Sequence, residues 1–166
     1  MKFQIILSLI ISSITLRISK EGINLIKRHE KFYSKAYIVP FGDWKIGYGT
    51  TNSDYSITKT KITKGLEITE KKAHDWLVQT IDKIYGPKIM NLNRKYHWKQ
   101  NQFDALCSYL YDNGSLEIIT RNSKSSLQEI ANYLNILSKT SSTNYQDKIK
   151  AKRRKDEYTL FIRGGL

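Results

Sequence analysis

At 166 residues, with 40% apolar and 11% aromatic side chains, the chain fits one domain with a core of its own, which excludes a disordered chain. Lys and Arg number 28 against 15 Asp and Glu, a net charge of +13. Such a balance attracts anionic partners (nucleic acid, a cell-wall polymer, an acidic membrane), but a lysine-rich coding bias gives the same count, so charge alone selects none of them.

The first stretch sets Lys2 before a mostly apolar run from Phe3 to Leu16. That run is shorter than the roughly 20 residues a spanning helix needs, so residues 1–17 read as a secretory signal, and 18–166 as the domain. Small residues before a cleavage point occur only as Ser12 and Ser13, which leaves an uncleaved N-terminal anchor as the alternative. Nothing else in the chain has the composition of a membrane span. The reading implies a secreted or exported protein, lysosomal or phagosomal if the source is eukaryotic. Cys107 is the only cysteine, so no internal disulfide is available and the fold must hold by packing.

Ser19 is placed to cap a helix that carries Ile23 and Ile26 on one face and ends at Glu30. The runs "AYIV" and "WKIGY" are β-prone and are separated by Pro40, Phe41, Gly42 and Asp43, the residue types of a hairpin turn. The following "TTNSDYSITKTKITKG" reads as a polar, irregular loop. From Thr69, the positions Ala73, Trp76, Leu77, Ile81, Ile84 and Tyr85 recur at helical spacing, and Gly86-Pro87 is expected to stop that helix. "QNQFDALCSYLYDNG" puts Phe103, Leu106, Cys107 and Leu110 on one face, which makes it the predicted central helix, ending at Asn113-Gly114. Ser126 and Glu129 form a capping-box signature for a helix through Ile130, Leu134 and Leu137, and the last helix, "DKIKAKRRKDEYTLF", is basic. One small hairpin followed by many helices predicts an α+β fold with its strands segregated.

The order and spacing of the helix ending in Glu30, "KAY", "DWKIGYGTT", "ITKGLEITEKKAHDWL", "QNQFDAL" and "AKRRKDEYTLF" resemble the phage-type lysozymes and endolysins, over about Gly22 to Phe161. The resemblance implies a lysozyme-like fold, with a small N-terminal β-hairpin region packed on a mainly helical domain. It also implies a bacteriolytic muramidase that cuts the β-1,4 bond between the amino sugars of peptidoglycan, with Glu30 as general acid. Taken alone, Glu30 is weak evidence, since most glutamates at helix ends are solvated. The chemistry nevertheless suits it, because a carboxyl group kept protonated in a partly buried cleft lowers the cost of expelling a sugar oxygen.

Departures from the family pattern fall in the same segment. Val39 stands where the family has Asp or Cys, Lys45 where it has Thr, and Lys31 where a Gly follows the glutamate. Val39 cannot ionise or activate water, and an ammonium at Lys45 near an acid favours the ionised carboxylate. Asp43 in the hairpin turn and Asp112, where the family has Asn, are the two candidates for a replacement carboxylate. Each is also explained as an ordinary polar turn or helix-end residue. By resemblance, Arg153 pairs with the catalytic glutamate on the substrate side, and Tyr111 is a candidate sugar-stacking ring, although a core tyrosine and a solvated basic face explain these two equally well. Trp44, Trp76 and Trp98 read as packing residues.

His29, His74 and His97 are too scattered for a metal motif, and neither a metal nor a cofactor is predicted. "KIKAKRRK" passes as a nucleic-acid or nuclear-localisation patch, against which the export signal argues. Asn113-Gly114-Ser115 is a glycosylation sequon that matters only in a eukaryotic secretory route. The expectation is therefore a monomeric, exported lysozyme acting on peptidoglycan, without nucleic acid or a lasting membrane span. The alternative is a lysozyme-like protein that binds wall glycan without cleaving it.

Overall fold

The computed structural model describes residues 15–40, 42–139 and 141–166. The predicted signal or anchor falls mainly on residues 1–14, outside the described residues. Helix α1 spans Lys20–Glu30, with Ser19 as its cap: the Ser19 hydroxyl accepts from the Glu21 and Gly22 amides at 3.2 and 3.3 Å. The same residue donates to Asp104 through its amide (2.9 Å) and its hydroxyl (2.5 Å), so the cap also ties α1 to the central helix. The helix buries Ile23, Leu25 and Ile26 and stops at Lys31, whose φ of 58° and ψ of 159° lie in a region that almost only glycine occupies.

Strands β1 (Tyr33–Ile38), β2 (Trp44–Gly47) and β3 (Thr50–Thr51) form one antiparallel sheet in that order. Ile38 pairs with Trp44 and Lys45 with Thr51, and a bulge sits between Tyr33 and Tyr37. The predicted irregular loop after the hairpin is more ordered than its polarity suggests. It contains β3, a 3₁₀ turn at Asn52–Asp54 and helix α2 (Tyr55–Thr58). Backbone hydrogen bonds from Ala36 to Leu66 (2.9 Å) and from Ile68 to Ser34 (2.9 Å) then lay its far end along the free edge of β1. Polar side chains supply the missing order: Asn52 holds both backbone groups of Ile62, at 3.0 and 2.8 Å.

Helix α3 (Glu70–Thr80) is capped by Thr69. Gly86-Pro87 does not end it, contrary to expectation. The chain passes through a wide π turn at Ile81–Tyr85 and continues as α4 (Gly86–Met90), with Pro87 in the first turn, where its missing N–H is not needed. Little room is left for a side chain at Gly86, where a Cβ would stand 3.1 Å from the Ile81 carbonyl oxygen. After the short α5 (Asn93–Tyr96), helix α6 (Gln100–Asn113) runs through the middle of the molecule, with every residue from 102 to 110 buried. It ends as predicted at Gly114, where φ is 75°. Of helices α7 (Glu117–Thr120), α8 (Leu127–Leu137, with the expected Ser126–Glu129 box) and α9 (Tyr145–Ile162), α9 packs along α6, α8 on α9 and α7 on α8. Trp98 stacks on Tyr96 at 4.3 Å and meets Phe161 edge-on, and Trp76 is buried, so both serve packing.

The strained Lys31 has an exposed side chain and sits directly after Glu30. Lys31→Gly is expected to raise stability by about 1 kcal/mol, because relief of the backbone strain exceeds the added freedom of the unfolded chain. Urea denaturation of both proteins measures it.

Candidate active site

Helix α1 delivers Glu30 to the junction between the sheet and the helical body. Its Oε1 accepts a 2.5 Å bond from Arg153 Nη1 on α9, whose side chain is only 5% exposed. Arg153 is fixed from the other side as well. Its Nη2 donates to the Ser108 carbonyl at 3.0 Å, and its Nε to Glu157 Oε1 at 3.2 Å. Glu157, fully buried, also accepts from the Ser108 hydroxyl at 2.7 Å and from Arg154. Arg154 in turn reaches Asp112 and lies over the Tyr109 ring, 4.7 Å from its centre. Burial works against the Arg153 cation, but Glu30, Glu157 and Asp112 outweigh it and hold the guanidinium above its ordinary range.

The other Glu30 oxygen, Oε2, faces Gly49. A Cβ at Gly49 would stand 2.8 Å from Oε2, and the φ of +90° there is itself a glycine conformation. Tyr111 donates its hydroxyl to the Tyr48 carbonyl at 2.7 Å and packs edge-on against Tyr85, at 5.5 Å between ring centres. This bond docks the end of the hairpin on α6. Burial pushes the Tyr111 phenol far above its usual range, with the charges of Glu30 and Asp54 acting in the same direction, so it remains a donor.

Around these groups lies a cavity of about 240 Å³, walled by Glu30, Gly49, Tyr85 and Tyr111 and, further round, by Lys45, Thr51, Ser53, Asp54 and Asp112. Larger cavities of about 450 and 360 Å³ lie elsewhere, the first beside Asp82 and Pro87 and the second beside Leu116 and Ser123. Neither touches Glu30, and the smaller cavity is the one that contains a candidate acid.

The structure brings Glu30, Lys45, Tyr111 and Asp112 together and leaves Asp43 out. Asp43 is exposed in the hairpin turn and does not line the cavity. Val39 does not line it either and packs over Gly42 instead. Asp112 reaches the cavity with its carboxylate tied to Arg154 and 3.7 Å from Arg153. Arg153, a substrate-binding candidate in the sequence, is buried and bonds the Glu30 carboxyl group. With Arg154 it also breaks the reading of "KRRK" as a solvated patch, because both arginines turn inward. Sequence reasoning missed Asp54 and the buried Glu157. Asp54 was legible only as the last residue of a Thr51-x-x-Asp54 box, whose bonds run from the Thr51 amide (2.8 Å) and hydroxyl (3.4 Å) to Oδ2. Burial pushes the Asp54 carboxyl upward against those bonds.

A carboxyl group at a helix end, clamped by a buried arginine and set beside a three-stranded sheet docked on a helical body, defines a lysozyme-like α+β protein. The chain belongs to the phage lysozyme family, whose model matches residues 27–157. It is 32% identical over 105 residues to an endolysin of Acyrthosiphon pisum secondary endosymbiont phage 1, covering 63% of this chain and 65% of that one. It is also 32% identical over 156 residues to an endolysin of Bacillus phage B103, covering 90% of this chain and 55% of the relative. The chain thus spans less than two thirds of the length of these curated relatives. Among solved structures, the muramidase domain of SpmX from Asticcacaulis excentricus superposes with a TM-score of 0.64 at 26% identity, over 88% of this chain and 97% of that domain.

Arg153→Gln is expected to cost about 3–5 kcal/mol, since it strips a charged partner from a buried carboxylate. Equilibrium urea unfolding measures the loss.

Proposed function

We propose that this chain is a lysozyme that hydrolyses the β-1,4 glycosidic bonds of bacterial peptidoglycan, with Glu30 as general acid. The observation that carries the reading is the Glu30 carboxyl group, held through Oε1 by Arg153 while Oε2 faces Gly49 in the cavity. With Oε1 occupied, the transferable proton belongs on Oε2, the oxygen that a glycosidic oxygen can approach. Arg153 is shared among Glu30, Glu157 and Asp112, and Arg154 between the latter two. Of these three carboxyl groups, Glu30 is the one whose second oxygen faces Gly49 at the cavity, where it can pass a proton to substrate. Membership of the phage lysozyme family and likeness to endolysins and a muramidase domain support the same chemistry.

Val39 and Lys45 are proposed to occupy the positions of the family's second and third catalytic residues. Lys45 lines the cavity and the Val39 side chain does not, so the group that handles the attacking water must come from elsewhere. Export of the chain, led by residues 1–17, fits a wall substrate. Mass spectrometry of the protein recovered from the medium should then find its N-terminus near residue 18, whereas an intact leader on cell-associated protein would indicate an anchor.

Glu30→Gln is expected to slow the clearing of purified bacterial wall by about 10²–10⁴-fold, with release of new reducing ends falling in step. Equal clearing by both proteins would remove Glu30 from the role of acid. Failure of the unaltered chain to release reducing ends would overturn the lysozyme reading itself.

A further inference from the structure

If the carboxylate expected at position 39 is absent, some other group must take a proton from the attacking water. The carboxylates that reach the cavity are Glu30, Asp112 and Asp54. Glu30 is assigned as the acid, and Asp112 is paired with Arg154 and lies near Arg153. Asp54 differs from both. Among the described residues no Lys, Arg or His nitrogen pairs with it, and its hydrogen bonds, both from Thr51, fall on Oδ2 alone. Oδ1 is left without a protein donor among the described residues. The group is 8% exposed, so water reaches it from the cavity it lines rather than across an open surface. Its orientation is also set, because the Thr51 amide that holds Oδ2 belongs to β3, the strand paired with Lys45 and Ile46 of β2. Glu30 and Asp54 both act electrostatically on the phenols of Tyr85 and Tyr111, the ring pair that forms the cavity wall.

We propose that Asp54 is a catalytic residue of this chain, accepting a proton from the water that attacks the anomeric carbon while Glu30 protonates the departing sugar oxygen. The proposal rests on the reading of Glu30 as the acid. The bond from the anomeric carbon to the glycosidic oxygen breaks, and its electron pair stays on that oxygen, which takes the Glu30 proton. The water oxygen forms the new bond to the anomeric carbon, and its proton passes to Asp54 Oδ1. Proton exchange with solvent then recharges Glu30 and empties Asp54, so no further reactant is consumed. Thr51 contributes as a positioning residue, since its amide keeps Oδ2 occupied and leaves Oδ1 to the water.

The test uses wall clearing and soluble peptidoglycan fragments with the full chain. Asp54→Asn retains an oxygen for the Thr51 amide, so the fold should melt within a few degrees of the parent while kcat falls by about 10²-fold or more and KM stays near its original value. Asp54→Ala, which opens space beside Thr51, should regain rate with added azide and yield a glycosyl azide detectable by mass spectrometry. A residue that only caps the turn cannot produce that adduct. Asp43→Asn, in the exposed turn, should clear wall at the parent rate. Parental activity in Asp54→Asn alongside an inactive Glu30→Gln overturns this inference and leaves the Glu30 reading intact. Activity lost in Asp54→Asn and not recovered by azide in Asp54→Ala assigns Asp54 to the cap alone and likewise overturns it. Full activity in Glu30→Gln removes the acid on which both readings depend.

Discussion

The guanidinium of Arg153, buried between α6 and α9, is the interaction on which the site depends. An ion taken out of water is tolerated only when its donors are nearly all used, and Arg153 meets that demand through Glu30, Glu157 and the Ser108 carbonyl and hydroxyl. The same bonds do two jobs. They fasten the C-terminal helix to the central one, and they hold a carboxyl group from the far end of the chain at the mouth of a cavity. A charge cluster that spans α1, α6 and α9 thus links the integrity of the helical body to the placement of the Glu30 carboxyl group.

On the opposite side the sheet is held by different means. The Tyr111 hydroxyl takes the Tyr48 carbonyl, the Tyr48 hydroxyl reaches Glu70 at 2.5 Å, and Gly49 lets the hairpin pass against the Glu30 carboxyl group. Close approach of backbone to carboxylate is what a side chain at position 49 would prevent. Lys31 shows the converse situation, a side chain kept where the backbone favours none. Its positive φ is the turn that lets the chain leave α1 for β1 immediately after Glu30, so the strain lies next to the carboxyl group that lines the cavity.

The cavity around Glu30 holds functional groups of both signs. Lys45 brings a cation to it, and the capping box at Thr51–Asp54 brings a carboxylate to it without an ionic partner among the described residues. The carboxylates of Asp112 and Asp54 differ in their partners: Asp112 is bonded by Arg154 and lies 3.7 Å from Arg153, whereas the hydrogen bonds of the Asp54 carboxylate come from Thr51. This separates Asp112 from Asp54, although both reach the same space.

Most of the architecture was legible in one dimension. The Ser19 and Ser126 caps, the apolar spacing of α3, α6 and α8, the hairpin around Gly42 and the stop at Gly114 are local preferences, set by neighbours a few residues away, and so they can be read along the chain. The resemblance also reached Glu30 and its pairing with Arg153. What the sequence could not decide were matters of distance and burial between remote segments. Gly86-Pro87 looked like a terminator, yet the chain runs on through a π turn into α4, which takes Pro87 in its first turn. "KRRK" looked like a solvated basic run, yet Arg153 and Arg154 face inward because Glu157 and Asp112 await them there. Asp43 and Asp112 looked equivalent as spare carboxylates. The tertiary structure leaves the first outside the cavity, ties the second to arginines and brings Asp54 to the cavity wall, since only folding determines which charges share a low-dielectric space.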